Sequence, residues 1–323
     1  MNPLNPVVNL QTTEHIHQAA IYESRTEFLQ MVVPFVRAGF DAGEPTLVTL
    51  GHQRAEWLRT ALGPAAAHAN FLDGDAEYRR PSSTIETHLE HLTGLTRGHA
   101  GRIRVVGQVP TPAIENTWSW WARYEAAVNR LFADFPVSHL CTYDANVAGR
   151  DVLDDVRRTH PWLAATGARR RPSPTFEPPE EFFARHSPAA DPLESATPLA
   201  DVTDPSRSGA RALAREAGRR SGCEWRKVMA LEIAVNEAVT NAFEHGTPPV
   251  RLRVWWAPGR AVATVTDTGP GPDDPLVGLV RTSDSTTGGL GLWLAHESCD
   301  YVAIGTDEGF TVRLVISDTE PAD

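Results

Sequence analysis

"EIAVNEAVTNAFEHG", Glu232 to Gly246, is built from small and apolar residues interrupted by a carboxylate at Glu237 and an amide at Asn241. Extended back to "EWRKVMAL", the run sets Val228, Leu231, Val235, Ala238 and Ala242 at helical spacing, so one face of a helix is buried. Glu237, Asn241 and His245 follow at i, i+4 and i+8. At about 3.6 residues per turn they share one stripe along that helix. A carboxylate and an amide aligned in this way offer oxygen ligands of the kind that a hard cation such as Mg2+ takes while it also carries phosphates.

Downstream, "VRLRVWW" and "AVATVTD" alternate as half-buried strands do. The second ends in "DTGPGP", which puts Asp267 where a strand meets a glycine turn, and Gly269 and Gly271 allow a ligand close to the backbone. A buried carboxylate there can accept a hydrogen bond from an exocyclic amine such as adenine N6. Residues 273–287, rich in Asp, Ser and Thr with little periodicity, read as a loop. It leads into "GGLGLWLAHESCD", where Gly288, Gly289 and Gly291, with Leu290 among them, precede a helix beginning near Leu292. A glycine turn feeding a helix N-terminus offers free N–H groups and a positive dipole end to phosphates. "GFTVRLVI" closes the sheet, with Thr311 at its start. A DxGxG turn or a glycine turn alone is commonly structural; the joint order and spacing are specific.

In that order the stretches resemble the N, G1 and G2 boxes of the Bergerat-fold (GHKL) ATPases, the superfamily of DNA gyrase, MutL and the histidine kinases, over about residues 199–318. The resemblance implies an α/β sandwich with a mixed sheet, ATP and Mg2+. Asn241 would hold the metal, and Glu237 would be the catalytic base that positions or deprotonates the group attacking the γ-phosphate. Asp267 would read adenine, with Thr311 in its water network. Gly269, Gly271, Gly288, Gly289, Leu290 and Gly291 would cradle the nucleotide, and His245 would join its contacts. Histidine kinases commonly carry a basic residue three positions after the box Asn, where this chain has Glu244, and no paired-helix segment with a suitable His precedes residue 200. "EAVTNAFEHG", the short loop before the last glycines and the close spacing to the end more closely resemble the anti-sigma-factor serine kinases. That implies a protein serine/threonine kinase that binds a sigma factor, phosphorylates an anti-sigma-factor antagonist and forms a homodimer. Two alternatives stand beside it: a non-catalytic ATP-binding switch, and a sensor histidine kinase whose acceptor is a separate protein.

Ahead of this region, after a tail over 1–14, strand-like and helix-like runs alternate through 15–165. A helix is expected at "SRTEFLQMVVPFVRAGFDAG", where Ser24 and Glu27 form a capping-box pattern and Pro34 predicts a kink or an early end. Buried strands are expected at Thr46–Leu50, Asn70–Leu72, Ile103–Gly107 and His139–Tyr143, with helices around Arg54–Leu62, Ser83–Leu95, Trp118–Phe132 and Asp151–Arg158. The order predicts a doubly wound, mainly parallel α/β sheet. Ligands of such sheets bind beyond the strand carboxyl ends, which singles out Gly51, His52, Asp73 to Asp75, Gly107, Gln108, Tyr143 and Asp144. No GxxxxGK[ST] phosphate loop is present, which excludes an ordinary P-loop ATPase. Trp118, Trp120, Trp121 and Tyr124 read as core or interface, and His88 and His91 as solvated; the twelve histidines offer no convincing metal set.

"HIHQAAIY", "AGEPTLVTL", "RYEAAVNRLF", "LCTYD" and "HPWL", in this order, are similar to the MEDS sensory domain, a degenerate relative of the RecA and KaiC ATPases. Gln108 stands where that family often has an acidic residue. The resemblance implies sensing of an unknown ligand or docking of a protein. Residues 166–198, dense in Pro, Ser and charge, read as a linker in which "EEFFARH" forms at most a short docked turn, and Arg169 to Arg171 as solvated.

Bulk properties agree with a two-domain cytoplasmic protein. Of 323 residues, 41% are hydrophobic, enough for two cores. A net charge of −11, from 41 acidic and 30 basic residues, argues against direct nucleic-acid binding. No apolar run is long enough to span a bilayer and no signal peptide opens the chain. Cys141, Cys223 and Cys299 are scattered, which suggests reduced packing thiols and neither disulfides nor a zinc site.

Overall fold

The stretch Ile16–Tyr22, which the sequence pattern did not mark as a strand, forms β1 at the centre of a sheet. The computed structural model describes residues 15–78, 80–98, 101–186, 188, 190–274, 276–279, 290–306 and 309–318. They fall into two units, the first up to Phe182 and the second from Phe183.

After β1 the first unit runs α1 (Arg25–Asp41), β2 (Thr46–Leu50), α2 (His52–Leu62), β3 (Ala69–Asp73), α3 (Gly74–Glu77), α4 (Pro81–Gly98) and β4 (Ile103–Gly107). It continues through α5 (Thr111–Asn116), α6 (Trp118–Leu131), β5 (Val137–Asp144), α7 (Arg150–Thr159), β6 (Trp162–Ala165) and β7 (Arg169–Pro172). The strand order is β3-β2-β4-β5-β1-β6-β7, parallel except for the antiparallel edge strand β7. One face is apolar: Ala20, Tyr22, Val48, Leu50, Val106 and Leu140 pack under Phe28, Val32 and Phe35 of α1 and Leu58 of α2. The opposite face, under α4, α6 and α7, carries His17, His139, Cys141 and Tyr143.

Pro34 neither kinks α1 into two helices nor ends it. A proline leaves the carbonyl four residues earlier without its helical donor; here that carbonyl, Gln30 O, accepts from Gly167 N at 3.2 Å. The capping box is offset: Ser24 Oγ accepts from Glu27 N at 3.2 Å, but Glu27 Oε2 takes the amide of Glu23.

Residues 166–198 hold more regular structure than a linker. The β6–β7 hairpin occupies its start, with Arg169 to Arg171 exposed, and α8 spans Pro179–Arg185. In the second unit, Asp191 and Glu194 form a capping box on a short 3-10 turn, Pro192–Ser195. Asp191 pairs with Arg260, Glu194 with Arg313, and Leu193 packs on Trp255, Val262 and Val315. The segment therefore covers the sheet face that the helices leave open.

That second unit comprises β8 (Ala200–Thr203), α9 (Arg207–Ser221), α10 (Trp225–His245), β9 (Arg251–Ala257), β10 (Arg260–Asp267), α11 (Leu290–Ser298), β11 (Tyr301–Gly305) and β12 (Phe310–Ser317). Its sheet, ordered β11-β12-β10-β9-β8, is antiparallel at every pairing rather than mixed. The buried face of α10 packs on it through Leu231, Val235 and Ala238. Ala210, Ala214 and Ala217 of α9, with Gly218 against Val228, let the two helices approach closely. No described helix is long and apolar enough to cross a membrane.

Leu231 is fully buried and Met229, two residues away, is 48% exposed. Leu231→Ala is expected to cost about 2–5 kcal/mol in denaturant unfolding of the chain. Met229→Ala is expected to stay within about 0.5 kcal/mol of wild type in the same measurement.

Candidate functional site

Helix α10 carries Asn241 and His245 to the wall of a cavity of about 230 Å³, completed by Asp267 at the end of β10, Gly271, Leu292 and Phe310. Pockets that take a whole drug-sized ligand hold roughly 300–1,000 Å³. This one suits a single ring system, with any attached phosphates lying outside it.

Asp267 is 2% exposed. Its Oδ1 accepts from Gly269 N at 2.8 Å and Thr247 N at 3.0 Å, and Oδ2 has no partner among the described residues. A carboxylate oxygen without a donor can accept a hydrogen bond from a ligand N–H. Glycines make the fit: a Cβ on Gly246 would lie 2.5 Å from Asp267 Cγ. Gly271 adopts φ +79°, and a Cβ there would strike the Phe310 ring at 2.3 Å.

Glu237 lies one turn before Asn241. Its Oε1 accepts from Asn236 Nδ2 at 3.1 Å, and Asn236 Oδ1 in turn accepts from Arg211 of α9 at 2.7 Å. A Cβ on Gly291 would sit 2.6 Å from Glu237 Oε2, so this glycine is what lets the start of α11 close against the carboxylate.

The structure thus gathers Asn241, His245, Asp267 and Gly271 on one cavity, with Gly269 beneath Asp267, and Glu237 beside Gly291. Thr311 is not among them. It pairs with Thr266, the two hydroxyls 2.9 Å apart, on the sheet face opposite to Asp267, because neighbours along a strand point to opposite sides. Its neighbours Phe310 and Val312 line the cavity instead. Leu290 opens α11, and Gly288 and Gly289 lie outside the described residues. Arg211, Asn236 and Thr247 carry no sequence signal of their own, since they act through long-range or backbone contacts.

In the first unit several of the strand-end positions are engaged by protein, whereas the buried Gln108 leaves its Oε1 without a hydrogen-bond partner among the described residues. Asp73 Oδ1 caps α3 by accepting from Asp75 N at 3.1 Å, and Asp144 accepts from Arg54 at 2.9 Å. A Cβ on Gly107 would meet the Tyr78 hydroxyl at 2.3 Å. Trp118, Trp121 and Tyr124 are core residues, as expected. His88 is not solvated: it is 3% exposed, bonds the Tyr124 hydroxyl at 3.1 Å, and burial, with His91 nearby, lowers its pKa to about 4. His91 lies 3.8 Å from Glu77.

An antiparallel sheet under three helices, with a cavity walled by Asn241 and Asp267, makes an α/β sandwich. Residues 202–316 match the family described as the histidine kinase-like ATPase domain. Residues 16–161 match the MEDS family, the MEthanogen/methylotroph, DcmR Sensory domain. The chain therefore carries a MEDS sensory domain over residues 16–161 and a histidine kinase-like ATPase domain over residues 202–316. Among solved structures it is similar to the NMR structure of the histidine kinase domain of the E. coli osmosensor EnvZ, at 20% identity over 38% of this chain and 90% of that one, with a TM-score of 0.23. No curated protein matches the chain.

Such a domain supports a kinase or ATPase type of activity and ATP as its ligand. The residues present fit that ligand: an unpartnered carboxylate oxygen for an exocyclic amine, a cavity for the base, and Asn241 on its wall. Asp267→Asn keeps an oxygen for the two amides and turns the free acceptor into a donor. ATP affinity in calorimetry is expected to fall about 10- to 100-fold, or roughly 1.4–2.8 kcal/mol. An unchanged affinity would remove Asp267 from reading the base.

Proposed function

We propose that the chain is an ATP- and Mg2+-dependent protein serine/threonine kinase that acts as an anti-sigma regulator under the control of its MEDS domain. The observation that carries this reading is the fixed carboxylate of Glu237, held by Asn236 and Arg211 one turn from Asn241 and against Gly291. Phosphoryl transfer asks a protein for positioning and charge more than for covalent chemistry. Glu237 orients the attacking hydroxyl and takes its proton. Asn241 offers an amide oxygen to the cation, and Asp267 fixes the base. A bound Mg2+ supplies the charge that neutralises the phosphate oxygens.

The choice of serine or threonine over histidine rests on Glu244, three residues after Asn241. It pairs with Arg207 at 2.7 Å, so the position that histidine kinases commonly give to a basic residue presents an engaged carboxylate. The resemblance of "EAVTNAFEHG" to anti-sigma-factor serine kinases supports a sigma factor and an anti-sigma-factor antagonist as partners, a homodimer as the assembly and the cytoplasm as the location.

The test incubates the chain with γ-labelled ATP and Mg2+ in an extract of its source. Acid-stable label on a small protein is expected, falling about 10²- to 10⁴-fold with Glu237→Ala. Acid-labile label would make the chain a histidine kinase acting on a separate acceptor. ATP binding without any label would make it a switch.

A further inference from the structure

The face of the first sheet turned away from its apolar core carries four polar side chains that meet at one point. His17 of β1, Glu125 of α6, Cys141 of β5 and His160, which follows α7, place one ligand atom each within 4.8 Å of one another. They are 1%, 1%, 7% and 0% exposed. His17 Nε2 lies 3.2 Å from Glu125 Oε2 and 3.4 Å from Cys141 Sγ, and His160 Nε2 lies 3.5 Å from the same carboxylate oxygen. A tetrahedral ion held at about 2.0–2.1 Å by N and O and about 2.3 Å by S keeps its ligand atoms roughly 3.3–3.6 Å apart. The edges of 3.2, 3.4 and 3.5 Å lie within about 0.2 Å of those lengths, and the other three are no longer than 4.8 Å.

The far side of each ligand is also arranged. Asn129 donates its amide to the carbonyls of Glu125, Ala126 and Thr159, which leaves Asn129 Oδ1 to accept, and His17 Nδ1 donates to it at 3.0 Å. His160 Nδ1 donates to Val156 O at 2.8 Å. Both rings therefore carry their proton on Nδ1 and turn the Nε2 lone pair to the common point. Tyr143 donates to Glu125 Oε1 at 2.7 Å, which orients Oε2 inward. Among the described residues, Glu125 Oε2 and His160 Nε2 have no hydrogen-bond partner of normal geometry. Outer hydrogen bonds that fix tautomer and direction are the usual support of metal ligands.

A purely hydrogen-bonded cluster accounts for less. A protonated His17 against Glu125 satisfies one edge, but His160 Nε2 stays buried with a lone pair and no donor, which costs free energy. A cation at the common point satisfies all four atoms and balances the buried carboxylate.

The ligands come from "HIHQAAIY", "RYEAAVNRLF", "LCTYD" and "HPWL", so four of the stretches that mark the MEDS domain converge here. In the parallel ladder His17 stands opposite His139 and Ala19 opposite Cys141, which puts the imidazole and the thiol on one face, two residues out of step.

We propose that His17, Glu125, Cys141 and His160 form a four-coordinate site for a divalent transition metal, with Zn2+ the ion that two imidazoles, a thiolate and a carboxylate favour. Four protein ligands leave no open position, so the site binds the ion itself and does no chemistry on a substrate.

The full chain, purified without a histidine tag and dialysed against Zn2+, is expected to retain about one zinc per chain by elemental analysis. His160→Ala is expected to weaken retention at least about tenfold. With Co2+ as the probe, tetrahedral visible bands and a thiolate-to-metal charge-transfer band are expected. Cys141→Ser, a near-isosteric change, is expected to lose the charge-transfer band while its circular dichroism stays that of wild type. Equal zinc in wild type and a folded His17→Ala/His160→Ala variant, or a folded wild type that retains no zinc and gives no Co2+ spectrum, overturns the proposal.

Discussion

The Asp267 carboxylate is the constraint on which the second unit depends. It sits at the end of a strand, is nearly inaccessible to water, and uses one oxygen to hold two backbone amides from different loops. A buried carboxylate is tolerated only where donors surround it. The chain supplies them by bringing backbone close: Gly246 and Gly269 press on its side chain, and Gly309 on its carbonyl, at distances that any Cβ would violate. The end of α10, the turn after β10 and the start of β12 are thereby fixed to one another. The cavity is the space left between them.

The first unit is organised by a difference between the two faces of one sheet. Where α1 and α2 pack, alternate residues are aliphatic or aromatic and the packing is ordinary. Where α4, α6 and α7 pack, the same strands present imidazoles, a thiol and a phenol, and the helices answer with Glu125, Tyr124 and His88. Burial holds His15 at a pKa of about 3 and His139 well below the ordinary value, so these two imidazoles are neutral. Polar interiors stay folded only when their groups are partnered, and that demand gives the face its definite geometry.

Local periodicity made most of this legible. The i, i+4 pair on α10, the strand that ends in Asp267 and the alternation of strands and helices in the first unit are short-range patterns, and they occur where the pattern put them. What escaped depends on partners far along the chain. β1 was hidden because buried polar residues, His17 on one face and Gln18 on the other, interrupt its apolar run. Pro34 stopped no helix because Gly167, remote in sequence, supplies the missing donor. Thr311 was one residue out of register, and a shift of one turns a side chain to the other face. The four converging ligand atoms belong to residues 17, 125, 141 and 160, a spacing no motif describes.

The central place of β1 has a consequence for how the chain is made. β1 leaves the ribosome well before its partners among the described residues, β5 and β6, which begin at Val137 and Trp162. Until then it cannot be paired on either edge, and the apolar side chains of α1 have only part of their sheet to cover. Non-local pairing of this kind makes folding slow and leaves strand edges exposed to other chains meanwhile. The second unit closes α9 on α10 from contiguous residues, so its helical layer assembles from what has just been synthesised. The two halves of one polypeptide thus pass through synthesis with different exposure to aggregation, and the half that emerges first is the one that must wait.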